Sequence, residues 1–322
     1  MAQHSLRAAP DTVRVGVFDA RIPPVLTVAS GDTVTVQCVS GREEVLPPPG
    51  SGLTVPEALA AIIAANPGMV AGHICTGPIA IAGAVPGDML EIRIEAIALG
   101  ADWGYNMIRP LAGTLPEDFH EPALMIIPID AASRTCRLPW GLDLPLSPFF
   151  GVMGVAPPPT FGRIASKEPR IHGGNLDNKE LTAGSTLFLP VFVPGANFSV
   201  GDGHGVQGDG EVCVSALETC LTGTFTFVLH KAQGDKALGA TPLLAHPRAE
   251  TPTHFITMGM HEDLDQAMKT ALREMIAFIV GRTNLSREQA YAFCSLAVDF
   301  HVTQTVNGEK GVHGLLKKGL LF

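Results

Sequence analysis

The sequence predicts a mainly β fold, a sandwich or barrel with a few helices, α+β overall. Three observations predict it. The chain is apolar, 46% hydrophobic and 16% charged, yet rich in turn formers, with 35 Gly and 26 Pro among 322 residues. These follow no repeat period, so they read as punctuation between short strands rather than as a fibrous pattern. Several segments alternate apolar and polar residues with period two, and helical spacing is concentrated late in the chain.

Taken in order, the first clear strand is "DTVTVQCV". It sets Val34, Val36 and Cys38 inward and Thr35 and Gln37 outward. "VPEALAAIIAAN", Val55 to Asn66, reads as a helix, with Pro56 near its start and Pro67 just past its end. "DMLEIRIEAI" alternates Leu90, Ile92 and Ile94 against Glu91, Arg93 and Glu95. "STLFLPVFV" is apolar throughout, as suits a strand buried on both faces, with Pro190 marking a bulge or an edge. "GTFTFVLHK" puts Phe225 and Phe227 on one face. Two strands open alike, "SGDTVTV" at Ser30 and "PGDMLEI" at Pro86, through two independent turns or through an internal duplication.

The clearest helix is "EDLDQAMKTALREMIAFIV", from about Glu262 to Val280. Leu264, Met268, Ala271, Leu272, Met275 and Ile279 recur at helical spacing, and Glu262, Asp263 and Asp265 occupy the end where the helix dipole favours acids. "SREQAYAFCSLAV" follows, with Ser286 as its capping residue. No low-complexity linker interrupts the chain. Residues 1–322 therefore read as a single unit, with an internal boundary possible only near 155–165, in the Pro-rich "GVAPPPTFGR".

Composition excludes several classes. An apolar, weakly charged chain is not disordered. A net charge of −9 argues against nonspecific nucleic-acid binding. No apolar run approaches the roughly 20 residues a membrane-spanning helix needs, and "MAQHSLRAAPD" lacks a signal-peptide core. The six Cys are widely spaced without a C-x-x-C pair. They read as reduced, mostly buried thiols of a cytoplasmic protein, with zinc ligation by several of them as the alternative.

Polar residues gather in "RIHGGNLDNKEL" and in "FSVGDGHGVQGDGEVCVSALE". His204 with Asp202 and Asp177 makes a mixed nitrogen and oxygen donor set that zinc accepts. The bland reading has Asp202 and Asp209 simply capping Gly turns. Read as a strand, "EVCVSALE" sends Glu211 and Glu218 to opposite faces, unless a bulge intervenes. Glu218 is then either a solvent-facing residue at a strand end or a buried carboxylate of raised pKa, fit for a general base or a metal ligand. Glu211, beside the turn, is either in reach of the loop site or in solvent.

His172 before "GGNLD" and His73 before "CTGPIAI" are candidate lining residues. His4, His120, His246, His261 and His313 read as ordinary loop or surface residues. In "GVMGVAPPP", Gly151 and Gly154 offer backbone N–H groups that could polarise a carbonyl, or form a plain turn. Trp103 and Tyr105 either wall a small pocket or pack. No G-x-S-x-G elbow, G-x-G-x-x-G turn after a strand, or P-loop is present.

With these segments in hand, the chain resembles the acetamidase/formamidase family. The likeness runs in order through "VFDARIPPVLTVASGDTVTV", "TGPIAIAGAVPGDMLEIRIEAI", "ADWGYNMIRP", "GVMGVAP", "HGGNLDNKELTAGSTLFLPVFVPGANFSVGDGHGVQGDGEVCVSALE" and "FCSLAVDFHVTQTVNGEKGVHGLL". The resemblance implies a β-rich, zinc-dependent, homo-oligomeric hydrolase (a dimer or larger) of small linear amides. By motif it carries over Asn175 and Asp177 of "GGNLD", Asp202 and His204 of "GDGH", and Glu218 of "ALE". The expected roles are then a metal held by Asp177, Asp202 and His204, and proton transfer by Glu218 or, second, Glu211. Asn175, His172, Gly151, Gly154 and His73 would meet the substrate. A cyclic-amide hydrolase on the same scaffold is the alternative. So is a non-catalytic β module with a structural metal, calcium in its oxygen-rich form, although His204 argues against calcium.

Overall fold

A computed structural model describes residues 1–68, 72–232 and 244–322. Its largest unit is a nine-stranded sheet. In spatial order the strands are Gln3–Leu6, Thr33–Cys38, Leu221–His230, Met89–Leu99, Thr186–Pro190, Arg248–Glu250, His254–His261, Lys310–Lys317 and Val298–Gln304. A second sheet of six strands carries Gly173–Asn175, Phe149–Gly154, Phe198–His204, Ile74–Ile81 and Val13–Val15 in that order, with Leu26–Val28 also on Ile74–Ile81. The two sheets share one core. Val34, Val36, Leu90, Ile92, Phe225 and Phe227 of the first pack with Ile79, Ile81, Phe150, Phe198 and Val200 of the second. Phe198 stands edge-on to Phe227 at 5.3 Å, an arrangement aromatic rings favour.

The alternating strands therefore exist because each has one dry face. Thr33–Cys38 buries every second residue, and its outward Thr33 and Thr35 meet Thr226 and Thr224 across the strand pair. The two Gly-Asp turns share one device. Asp32 accepts from the Ala29 N–H at 3.0 Å, and Asp88 accepts from the Val85 N–H at 2.9 Å. Pro190 is the last residue of its strand, where its missing N–H costs little. Glu91 departs from the outward expectation. It is buried and held by Arg93 and His230.

The helices are Glu57–Ala65, Leu264–Val280 and Arg287–Ala297. Asp263 caps the second through the N–H groups of Asp265 and Gln266, and Ser286 with Gln289 forms a full capping box on the third. The second helix lies close on strand His254–His261. A Cβ on Gly259 would stand 2.1 Å from the Ala267 carbonyl oxygen, so only glycine permits that approach. All six cysteines are free, and five are buried. Among the described residues no helix is long and apolar enough to cross a membrane. A third sheet of four strands, Trp103–Ile108, Ala123–Asp130, Thr135–Arg137 and Asp143–Pro145, stands beside the end of the sandwich.

Candidate active site

The site forms where the six-stranded and four-stranded sheets meet. "VGDGH" is the end of a strand rather than a turn, central between Phe149–Gly154 and Ile74–Ile81. "EVCVSALE" is not a strand. It is an irregular turn with Glu211 at φ 44° and Val214 at φ 81°. The period-two argument that separated Glu211 from Glu218 therefore does not apply, and both side chains line one cleft. Single bridges tie Glu218 to His204 on one side and to Tyr105 on the other.

Asp177, Asp202 and Glu211 all adopt positive φ, at 45°, 59° and 44°. Non-glycine residues hold that region only where their surroundings over-determine it, and such strain clusters at functional sites. The three side chains converge on His204, which is wholly buried. His204 Nε2 lies 3.2 Å from Asp202 Oδ2 and 3.3 Å from Glu218 Oε1, and Nδ1 lies 3.9 Å from Asp177 Oδ1. Nδ1 is fixed by Gln207 Oε1 at 2.9 Å, and Gln207 in turn donates to the Asp177 carbonyl at 2.8 Å. Asn307 donates to Asp177 Oδ2 at 2.6 Å, and the Ala216 N–H donates to Glu218 Oε1 at 3.0 Å.

Packing four carboxylates into a dry site shifts their protonation. Burial raises Glu218 to about 7. Burial, then the Asp177 charge, lifts Glu211 well above the ordinary range, and burial raises Asp177 as well. Burial would raise Asp202 too, but His73 and His204 outweigh it and hold it low. Burial would lower His204; the Glu218 and Asp202 charges win and raise it well above its usual value. The cavity thus demands positive charge at its centre.

A divalent metal is the group the donor chemistry implies, and three observations test the fit. Two triplets converge on the imidazole, Asp202–His204–Glu218 and Asp177–His204–Glu211, each with ligand atoms within 4.8 Å of one another. His204 Nε2, Glu218 Oε2 and Asp177 Oδ1 are buried without a hydrogen-bond partner. Nε2 is therefore near two oxygens yet bonded to neither. Tetrahedral zinc at about 2.1 Å from each ligand separates ligand atoms by about 3.4 Å, close to the 3.2 and 3.3 Å here. Finally, a Cβ on Gly151 would lie 2.4 Å from Asp177 Oδ1, 2.5 Å from Asp202 Oδ2 and 2.9 Å from His204 Cε1. Glycine there keeps open the space the donors surround.

Of the residues expected from sequence, His73, Asn175, Asp202, Glu211 and Glu218 line the cleft, and Asp177, His204 and Gly151 stand at its floor. His73 hydrogen-bonds Ser166 Oγ at 2.9 Å and faces Asp202 at 3.8 Å. His172 and Gly154 do not line the cleft. His172 is buried edge-on to Phe18, with neither ring nitrogen partnered, and burial holds its pKa down at about 3. Gly154 belongs to the strand ladder opposite Gly173. Tyr105 walls the cleft, whereas Trp103 is core, its Nε1 donating to the Thr54 carbonyl. His313 is no surface residue. It is fully buried opposite His301 and forms a separate cluster with His301 and Asp209. Asp209 binds Lys179 and His301 rather than closing a turn. No cysteine joins a metal-like group among the described residues. Sequence reasoning did not single out Gln207, Asn307, Arg42 or Arg109. Asn307 begins an Asn-Gly pair between two late strands, a signal for a turn and not for a site.

Comparisons with known proteins bear on the fold and the family. The profile of the Acetamidase/Formamidase family matches residues 11–166 and 163–312. The crystal structure of an acetamidase from Bacillus halodurans superposes with a TM-score of 0.81 at 31% identity, covering 97% of each chain. A formamidase of Methylophilus methylotrophus is 31% identical over 191 residues, 44% of this chain and 47% of that protein. An acetamidase of Mycolicibacterium smegmatis is 30% identical over 198 residues, 44% of this chain and 49% of that one. The matched stretch thus spans about half the length of those two curated relatives. The fold and these relatives define an amidase, a hydrolase of linear amides. The chain belongs to the Acetamidase/Formamidase family.

Proposed function

We propose that the cleft hydrolyses small linear carboxamides to a carboxylate and ammonia by direct attack of water, with a divalent metal, zinc by its donors, held by Asp202, His204 and Glu218. The observation that carries this reading is His204 Nε2, buried and unbonded between the Asp202 and Glu218 oxygens at the cleft floor. A metal held there supplies polarisation of the amide carbonyl and lowers the pKa of an attacking water.

The protein's own groups do the rest. Gln207 fixes the His204 ring so that Nε2 faces the carboxylates. Asn307 orients Asp177. Asp177 and Glu211 are two buried carboxyls side by side, and like charges that close do not both ionise, so the pair holds one proton. It can take a second from the attacking water and return one to the leaving nitrogen, which needs it because an amide anion leaves poorly. This gives Glu211 the proton-transfer role and makes Glu218 a ligand. The water oxygen forms the new C–O bond, the C–N bond breaks, and the proton left on the new carboxyl group passes to the released ammonia, so the products are RCOO⁻ and ammonium. The absence of a serine elbow and the burial of most cysteines favour this route over an acyl-enzyme.

Elemental analysis paired with ammonia release from a panel of short amides tests the reading. His204→Ala should lose most bound metal and nearly all turnover while keeping its fold. A variant with full metal content and full activity, or an adduct trapped on Ser or Cys, would overturn it.

A further inference from the structure

The floor of the cleft is acidic, but its lining also carries three cationic side chains. Arg42, Arg109 and Lys167 line the same cavity as Glu218 and Asp202, in a chain of net charge −9. Arg42 is engaged locally, with Nε 3.7 Å from Glu44 and Nη2 3.3 Å from Met107 Sδ. Arg109 is different. It is half-buried, and among the described residues its guanidinium has no hydrogen-bond or ion-pair partner. Burial, and after it the nearby Arg42 charge, pulls its pKa down.

A guanidinium presents five N–H donors in a rigid fork suited to a carboxylate. Leaving that fork unmet in a partly dry cleft is costly, and a second guanidinium beside it adds repulsion. The Glu218 charge favours Arg109 from a distance, but the floor carboxylates face His204 and accept from Asn307 and the Ala216 N–H. Formamide and acetamide would leave the fork empty. They would also leave much of the cleft empty, for its volume is about 300 Å³, within the range of sites that hold larger small molecules.

We propose that the preferred substrate carries a carboxylate at the end opposite its amide: the half-amide of a short dicarboxylic acid. Arg109 takes the carboxylate through its fork, with Arg42 alongside, while the amide rests over Asp202 and Glu218. One free guanidinium beside one engaged guanidinium matches a singly charged group better than a phosphate, which would bring a second negative charge toward the acidic floor. This inference rests on the cleft being an amidase site. It adds the substrate class.

The test compares kcat/KM for succinamate with that for isohexanamide, in which an isopropyl group replaces the carboxylate. Both are measured in wild type, Arg109→Gln and Arg109→Lys. Wild type should favour succinamate. Arg109→Gln should lower the succinamate-to-isohexanamide ratio about tenfold to a hundredfold, chiefly through KM, and Arg109→Lys should recover part of it by keeping the charge without the fork. A wild-type ratio at or below one, or a ratio that Arg109→Gln leaves unchanged, overturns the inference while the amidase reading stands. Calorimetric titration of succinate needs no turnover. Weaker binding by Arg109→Gln supports the anion site, and equal binding overturns it. Succinate binding that depends on Arg109, with neither amide hydrolysed, would instead sink the amidase reading and keep the anion site.

Discussion

Substituting Gly151→Ala should disable the site while leaving the fold intact. The new Cβ would sit 2.4 Å from Asp177 Oδ1 and 2.5 Å from Asp202 Oδ2, where ordinary contact begins at 3.4 Å. Each carboxylate must therefore retreat by about 1 Å, or the strand Phe149–Gly154 must shift by as much. Neither is easy. Asp177 is pinned by Asn307, Asp202 lies in a strand paired on both sides, and both already hold positive φ. Metal sites tolerate ligand displacements of only about 0.2 Å, and a misplacement of about 1 Å can cost about a hundredfold in rate, or about 2.7 kcal/mol of barrier. Overpacking should cost a further 1–3 kcal/mol, roughly, of global stability. Metal content, kcat/KM for acetamide and a urea melt would be measured together. Gly208→Ala serves as control, because a Cβ there meets nothing within 4 Å. A Gly151→Ala protein with full metal and activity within about threefold of wild type would refute the claim that this glycine keeps the donor space open.

Removing the Asn307 amide (Asn307→Ala) should cost about 1–3 kcal/mol in a denaturant melt, the penalty for leaving a buried acceptor unpaired, and should lower kcat more than it raises KM; unchanged stability would mean water replaces the amide. Metal-stripped protein should lose stability as pH rises from about 6.5 to 8. The sign follows from Glu218, whose folded pKa of about 7 exceeds its ordinary 4.5, and from Asp177, Glu211 and His204, all raised. His172 and His313, buried and lowered to about 3 and about 4, work the other way but mainly below their ordinary 6.5; above it the folded state binds more protons than the unfolded chain, so its advantage fades with pH. Asp202 is lowered and gives no slope there, since both its states are ionised. A melting temperature of the chelated protein that climbs across the window would refute this, and added metal should flatten the slope. Lys269→Ala and Arg273→Ala, exposed on the helix Leu264–Val280, should keep turnover within about twofold, because that helix packs on the sheet and on the helix Arg287–Ala297 and lines no part of the cleft; a large loss in a folded variant would tie the helix to the site or to an interface that forms it.

The strands were legible because burial on one face writes itself as alternation: Val34, Val36, Leu90, Ile92, Phe225 and Phe227 all point where period two sends them. The late helices were legible because their caps are local, Asp263 and Ser286 each lying within three residues of the N–H groups they accept. The segment Glu211–Glu218 was not legible, because its alternation of apolar residues is real but its backbone does not follow it. Val214 turns at φ 81°, and that turn, which no propensity scale marks, carries both glutamates to one cleft. His313 was misread for the opposite reason. A histidine in "KGVHGLLK" carries no local mark of depth, and it is buried because its strand lies between two others. Asp177, Asp202 and His204, which the structure brings together, could be gathered from sequence by chemistry, since acids and an imidazole beside glycines are costly to keep in an apolar chain. What sequence could not supply is what holds them. Gln207 and Asn307 reach Asp177 across 30 and 130 positions of chain, and amide side chains are too common in loops to announce such a role. The same limit hid Arg109, because an arginine reads as surface until the structure shows it half-buried in the lining of the cleft and, among the described residues, paired with none of the carboxylates there.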